Sequence, residues 1–430
     1  MIYHLFQYLE SIGVDFPGIG LMHYLSFRAI LAAVTAVLTA LVAGKRIIRW
    51  LQSKQIGETV RDLGLADQIQ KKGTPTMGGL IIILSIMTGV LLFCDLTNIY
   101  VLLLIVSTVW CAALGFTDDY IKVFKHRKEG MSEKGKLVGQ VVLGFIIGLT
   151  VWMSPDIVVR EKVAAPESVE RMLETETTVT SGRYVQEDVV KSTKTTIPFV
   201  KNHEFDYRWL SPVKGAWGWY CKWAIYVLMI VLVITACSNG TNLTDGLDGL
   251  AAGTSAVVGV VLGILAWLGG NLIDSNYLNI MYIPGSGEIA IFMSAFVGAL
   301  IGFLWYNSFP AQVFMGDTGS LTIGGVIGVS AVLMRKELLL PLLCGIFFVE
   351  SLSVLLQRLY FKTTKKKTGV GHRIWSMTPL HHHYQDKKAP DGPVLFPKPV
   401  PAQHEAKITV RFWIVGIILA VSTLALLKIR

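Results

Sequence analysis

The sequence predicts an all-α polytopic membrane protein, one integral-membrane domain over residues 1–430 with about ten transmembrane helices. Three observations carry that expectation. Of the 430 residues 52% are hydrophobic and only 16% are charged, against roughly 25% charged in soluble domains, and mean hydropathy is +0.53. The apolar residues fall into runs near the ~20 residues that cross a hydrocarbon core. The loops between those runs alternate between basic and uncharged. Backbone groups in lipid have to bond within their own segment, so the runs are read as helices.

The expected spans are 24–44, 77–95, 98–116, 137–154, 217–237, 249–268, 289–306, 320–335, 337–361 and 409–428. The loop after the first holds Lys45, Arg46, Arg49, Lys54, Arg61, Lys71 and Lys72. The loop after the third holds Lys122, Lys125, Arg127, Lys128, Lys134 and Lys136, and the loop after the ninth holds Lys362, Lys365, Lys366, Lys367 and Arg373. The positive-inside rule makes that shared side cytoplasmic. The loops after the second and sixth spans carry no Lys or Arg and face outward. An even span count then puts both termini outside, in the periplasm. Arg335-Lys336, and Lys428 with Arg430, run against the pattern. A neutral, aromatic N-terminus with no A-x-A-like site gives no sign of a cleavable signal peptide. Five cysteines lie in or beside apolar runs, without ligand-like spacing.

Residues 155–216 form a polar insertion between spans 4 and 5, expected in the periplasm. Thr177–Thr180 and Val189–Thr196 read as strands, with a partly disordered insertion as the alternative. No chemistry is assigned to it.

The chemistry-bearing residues lie in polar stretches. Ser238 to Leu250 holds Asn242, Asp245 and Asp248 among glycines. If Thr244–Gly249 opens a helix, Asp245 and Asp248 share one face and shape a pocket for a nucleotide or a metal-bound phosphate. The plain alternative is a capped loop. Lys71, Lys72 and Thr76 precede span 2 and read as an anion cradle at a helix N-terminus, or as a basic membrane flank. Asp118 and Asp119 end span 3, where paired acids need solvent, a partner such as Lys122, or a metal. Mg²⁺ held by carboxylates and substrate phosphates accounts for them. Asp317 stands between two glycines before span 8, free to ligate a metal or to cap a helix, and Phe314 beside it could stack on a base. His381, His382 and His383 are successive, so all three on one ion is not expected. Glu350 lies inside span 9, as a functional group or an interhelical hydrogen-bonder. There is no P-loop and no strand-borne GxGxxG. Acids, bases and lipid access together suggest Mg²⁺-assisted phosphoryl transfer to a lipid-borne acceptor.

TPTMGG (74–79), FTDDYIK (116–122), SNGTNLTDGLDGLAAG (238–253), WYNSFPAQVFMGDTGS (305–320) and PLHHHYQ (379–385), in this order across ten spans, resemble the phospho-N-acetylmuramoyl-pentapeptide transferase family. That family belongs to the polyprenyl-phosphate N-acetylhexosamine-1-phosphate transferase superfamily. The resemblance implies a multi-pass protein of the bacterial inner membrane with a cytoplasmic active site. It implies Mg²⁺, UDP-MurNAc-pentapeptide and undecaprenyl phosphate as cofactor and substrates, membrane lipids around it, and no nucleic acid; a homodimer stays open. It implies Asp317 as a Mg²⁺ ligand, with Asn242 and Asp118 beside it, and Asp118 and Asp119 as the acidic pair at the pyrophosphate. Lys136 and His382 are implied as catalytic. Asn242, Asp245 and Asp248 are implied in the nucleotide pocket, Lys71 and Phe314 near uridine, with Lys72 and Thr76 beside them, and His381 and His383 in a substrate-contacting loop. The 155–216 insertion departs from the family's shorter connection. A GlcNAc-1-phosphate transferase of the same superfamily is the near rival, and a carrier of lipids or nucleotides is the distant one.

Overall fold

The computed structural model describes the chain except residues 15–17, 55–72, 126, 128, 161–188, 199–203, 279, 386–391, 398, 400 and 428–430. The helices that build it are α1 (Ile2–Ser11), α2 (Leu25–Ser53), α3 (Gly79–Phe93), α4 (Ile99–Phe124), α5 (Glu133–Met153), α6 (Ala216–Thr244), α7 (Leu250–Gly270), α8 (Gly287–Asn307), α9 (Gly316–Leu333), α10 (Gly345–Thr368), α11 (Leu380–Gln385) and α12 (Glu405–Leu426). Among the described residues eight of these are long and apolar enough to cross a membrane, and α10 with the bent segment before it makes nine. Each falls on an expected apolar run.

Two elements differ from expectation. α3 stands on the expected second span but has 15 residues, about 22 Å at 1.5 Å per residue, because Pro75–Gly78 is drawn into pairing with another segment. The expected ninth span is not one straight helix: Glu337–Leu343 meets α10 at 78°.

α9 is the axis. Its sequence, GDTGSLTIGGVIGVSAVL, is the least hydropathic of the spans, yet nearly every residue is buried. It packs against α3, α4 and α6, while α8 packs against α2, α3 and α7. Small residues let neighbouring helices come close where lipid would otherwise be. Its buried hydroxyls bond back into the helix, as Thr322 Oγ1 does to the Thr318 carbonyl at 2.7 Å.

The described part of the insertion folds onto the end of α9 remote from Asp317. Val159–Arg160 pairs antiparallel with Val189–Val190, and Lys194–Thr196 pairs antiparallel with Glu204–Asp206. The expected strand 189–196 is thus two short strands with different partners; 177–180 lies outside the described residues. The Thr196 N–H donates to the Arg335 carbonyl at 3.0 Å, Thr195 Oγ1 donates to the same carbonyl at 3.1 Å, and Lys336 Nζ donates to Thr196 Oγ1 at 2.5 Å. Tyr207 OH donates to Glu337 Oε1 at 3.2 Å, and the Arg335 guanidinium lies 4.6 Å from the Tyr226 ring centre. Arg335 and Lys336 are each 2% exposed. They break the loop-charge pattern because they face protein, not lipid headgroups.

Candidate active site

Four helix ends meet at the start of α9. α4 runs past its apolar run and carries Asp118 and Asp119, both buried, on its last turns. Lys122, one turn on, places Nζ 2.6 Å from Asp118 Oδ2 and 3.2 Å from Asp317 Oδ2. Lys136, in the first turn of α5, places Nζ 3.0 Å from Asp118 Oδ1 and 2.5 Å from Asp317 Oδ2. Asn242, in the last turn of α6, donates Nδ2–H to Asp317 Oδ1 and to Ser320 Oγ, both at 2.9 Å. One carboxylate oxygen from each of Asp118, Asp119 and Asp317 lies within 4.8 Å of the others.

The two adjacent aspartates have different work. Asp119 caps α9: it accepts the Asp317 N–H at 3.1 Å, the Thr318 N–H at 2.9 Å and the Thr318 hydroxyl at 2.6 Å, where free N–H groups and the helix dipole favour an anion. Asp118 accepts the Met131 N–H at 2.7 Å, ordering the loop before α5. Three acids facing two ammonium groups leave an unbalanced site.

Thr76 and Phe314 reach this centre through a backbone zipper. The Phe314 N–H donates to the Pro75 carbonyl at 2.8 Å, Gly78 N–H to the Phe314 carbonyl at 2.8 Å, and Gly79 N–H to the Met315 carbonyl at 2.9 Å. Gly316 then turns the chain with φ +72°, where an added Cβ would stand 2.7 Å from Asp119 Oδ2 and 3.0 Å from Thr76 Oγ1. Only glycine meets both demands. Lys71 and Lys72 lie outside the described residues.

Asp245 and Asp248 do not share a helical face. α6 ends at Thr244, Asp245 is its C-cap, and residues 245–249 are the turn into α7; Gly246 and Gly249 there favour a turn over a helix opening. Asp248 is buried, and its Oδ2 accepts the Ala311 N–H at 3.1 Å, fastening this turn to the 305–315 loop. The histidines diverge along α11. His381 and His383 are buried while His382 is half-buried, His383 Nδ1 accepts the Ser376 N–H at 3.3 Å, and His382 Nδ1 lies 3.1 Å from Gln385 Oε1.

A family model described as glycosyl transferase family 4 matches residues 190–335, and one described as phospho-N-acetylmuramoyl-pentapeptide-transferase signature 1 matches residues 71–83. Proteins named phospho-N-acetylmuramoyl-pentapeptide-transferase from Parabacteroides distasonis and Porphyromonas gingivalis strain W83 are each 54% identical, over the whole of both chains. One from Flavobacterium psychrophilum is 52% identical, again over the full length of both. The chain belongs to the phospho-N-acetylmuramoyl-pentapeptide transferase family.

Of the positions that the family motifs marked in this transferase, Asp118, Asp119, Lys136, Asn242 and Asp317 converge directly, and Thr76 and Phe314 join through the zipper. Asp248 and His383 have fastening contacts instead. Several site residues carried no sequence signal. Gln140 donates to Ser238 Oγ at 3.1 Å, and the Asn239 amide donates to Gln140 Oε1 at 2.8 Å, so Gln140 locks α5 to α6 just above Lys136. Glu405, wholly buried, accepts the Asp248 N–H at 2.7 Å. In the sequence Glu405 reads only as an acid in a helix's first turn.

Proposed function

We propose that the chain transfers phospho-MurNAc-pentapeptide from UDP-MurNAc-pentapeptide to undecaprenyl phosphate, releasing UMP and giving undecaprenyl-diphospho-MurNAc-pentapeptide, lipid I, in the bacterial inner membrane. The observation that carries this reading is the convergence of Asp118, Asp119 and Asp317 with Lys122 and Lys136 at one end of a helical bundle. That end is assigned to the cytoplasm by the basic loops around it, and both chain termini to the periplasm.

The residues fit a divalent cation. Three clustered carboxylates offer the hard oxygen donors that Mg²⁺ takes, and their charge exceeds that of the lysines beside them. Asp118, Asp119 and Asp317 would hold the ion, with the Asn242 amide beside them. When bound, Mg²⁺ supplies neutralisation of diphosphate charge and activates the phosphorus toward attack.

The remaining task falls to this chain's side chains. Two anions have to meet, and Lys122 and Lys136 lower that repulsion and fix the approach. A phosphate monoester loses its second proton near pH ~6, so the lipid phosphate arrives mostly ionised and needs little help from a base. Its oxygen forms the bond to the sugar-linked phosphorus as the bond to UMP breaks, in a single step. Asp119 holds the α9 N-terminus, and hence Asp317, in place. Uridine is assigned to the Thr76–Phe314 zipper and the 245–249 turn.

UMP release by the protein in detergent tests this. It is expected only with UDP-MurNAc-pentapeptide, undecaprenyl phosphate and a divalent cation together. Release from UDP-GlcNAc instead would favour the superfamily rival. Transport without UMP release would favour a carrier.

A further inference from the structure

Glu350 is wholly buried in α10, and no step above uses it. A buried carboxylate among apolar spans requires a partner, and here that partner is the histidine motif. The His381 N–H donates to Glu350 Oε1 at 3.1 Å, and His381 Nδ1 lies 3.3 Å from Glu350 Oε2. One carboxylate therefore bonds the backbone of His381 and lies against its ring.

The other ring nitrogen faces the 245–249 turn. His381 is itself wholly buried, and among the described residues neither of its ring nitrogens has a hydrogen-bond partner. A Cβ added to Gly246 would stand 2.1 Å from that Nε2. Gly246 is exposed, so the buried nitrogen lies directly beneath the surface of that turn. The ring is thus wedged between Glu350 and the turn, with Nε2 on the turn side.

α11 has only six residues, too few to hold a helix unaided, so its orientation comes from outside. Glu350 holds its first turn. At its other end Gln385 Nε2 donates to Glu405 Oε2 at 3.3 Å, and Glu405 also accepts the Asp248 N–H.

We infer that Glu350 is a positioning residue for the transferase, setting the placement of the His381 ring so that Nε2 is held against Gly246 of the 245–249 turn. The inference rests on the reading that the histidine motif serves phospho-sugar transfer.

The test is a double-mutant cycle of Glu350→Ala and His381→Ala in the full chain, reading kcat and both KM values alongside thermal unfolding. Glu350→Ala is expected to lower kcat about 10²-fold, the scale of a misplacement near 1 Å, with KM little changed. Glu350→Gln, which keeps an acceptor for the His381 N–H, should recover part of the loss. The double variant should lose no more than His381→Ala alone. Additive losses, or a Glu350→Ala enzyme with wild-type kcat, would overturn the inference while leaving the histidine in the reaction. Full activity of His381→Ala would overturn both. Should Glu350→Ala fail to fold, Glu350→Gln in the wild-type and His381→Ala backgrounds gives the same cycle, and additive losses there overturn the inference in the same way.

Discussion

α9 carries a buried charge cluster at each end, and the two are built on opposite principles. At its start, Asp118, Asp119 and Asp317 share Lys122 and Lys136, so like charges are pressed together. Past its end, Arg335, Lys336 and Glu337 mix signs and are tied to Thr195, Thr196 and Tyr207 of the insertion. Eighteen residues separate them, about 27 Å of helix. The first cluster spends stability on an excess of acid that a cation would complete; the second carries an excess of base and is closed over by the insertion's backbone and hydroxyls. Both clusters are buried and each is one charge out of balance, so the sign of the excess and what covers it, more than burial, separate a reactive centre from a fastening.

That contrast makes opposite demands on variants at the two ends. Asp317→Asn should lower kcat by about 10³-fold with little change in unfolding temperature. It removes the Lys136 contact but also relieves repulsion with Asp118 and Asp119. A large stability loss with kcat preserved would erase the distinction. Asp118→Asn should do less damage than Asp317→Asn, because the lipid phosphate is already ionised. A greater defect at Asp118, easing at high pH, would restore a base to the mechanism.

Glu337→Leu should do the reverse. It leaves Arg335 and Lys336 buried without their carboxylate, which costs about 3–5 kcal/mol when one member of a buried ionic group is removed. Thermal unfolding reads that loss, while kcat per folded molecule should stay near wild type. A kcat defect as large as that of Asp317→Asn, with folding intact, would mean that the far end acts on the site.

The elements were legible in the sequence because hydropathy is local: every long helix sits on an apolar run, even α9, whose glycines, serines and threonines dilute its signal. The acidic convergence was legible from the family motifs. What stayed hidden was set by partners distant in the chain. Met77–Gly79 reads as the head of a span, but pairing with residues 314–315 shortens α3 at that end. Asp248 reads as sharing a helical face with Asp245, but it lies in a turn and its Oδ2 accepts the Ala311 N–H. Arg335-Lys336 reads as a topological exception until residues 195–196 cover it. Glu350 and Glu405 acquire meaning only when α10, α11 and α12 meet.

The smallest expected effect tests how far the insertion acts as a fastening alone. Thr195 Oγ1 donates to the Arg335 carbonyl at 3.1 Å, and the residue is wholly buried. Thr195→Val keeps the shape and removes one neutral hydrogen bond, worth about 1 kcal/mol. Unfolding temperature should fall slightly, with kcat and both KM values unchanged. The carbonyl keeps the Thr196 N–H as a second donor, so the loss should stay below that of Glu337→Leu. If Thr195→Val instead matched Glu337→Leu, the strand contact rather than the charge balance would be holding this end, and the two ends of α9 would differ less in kind than their charges suggest.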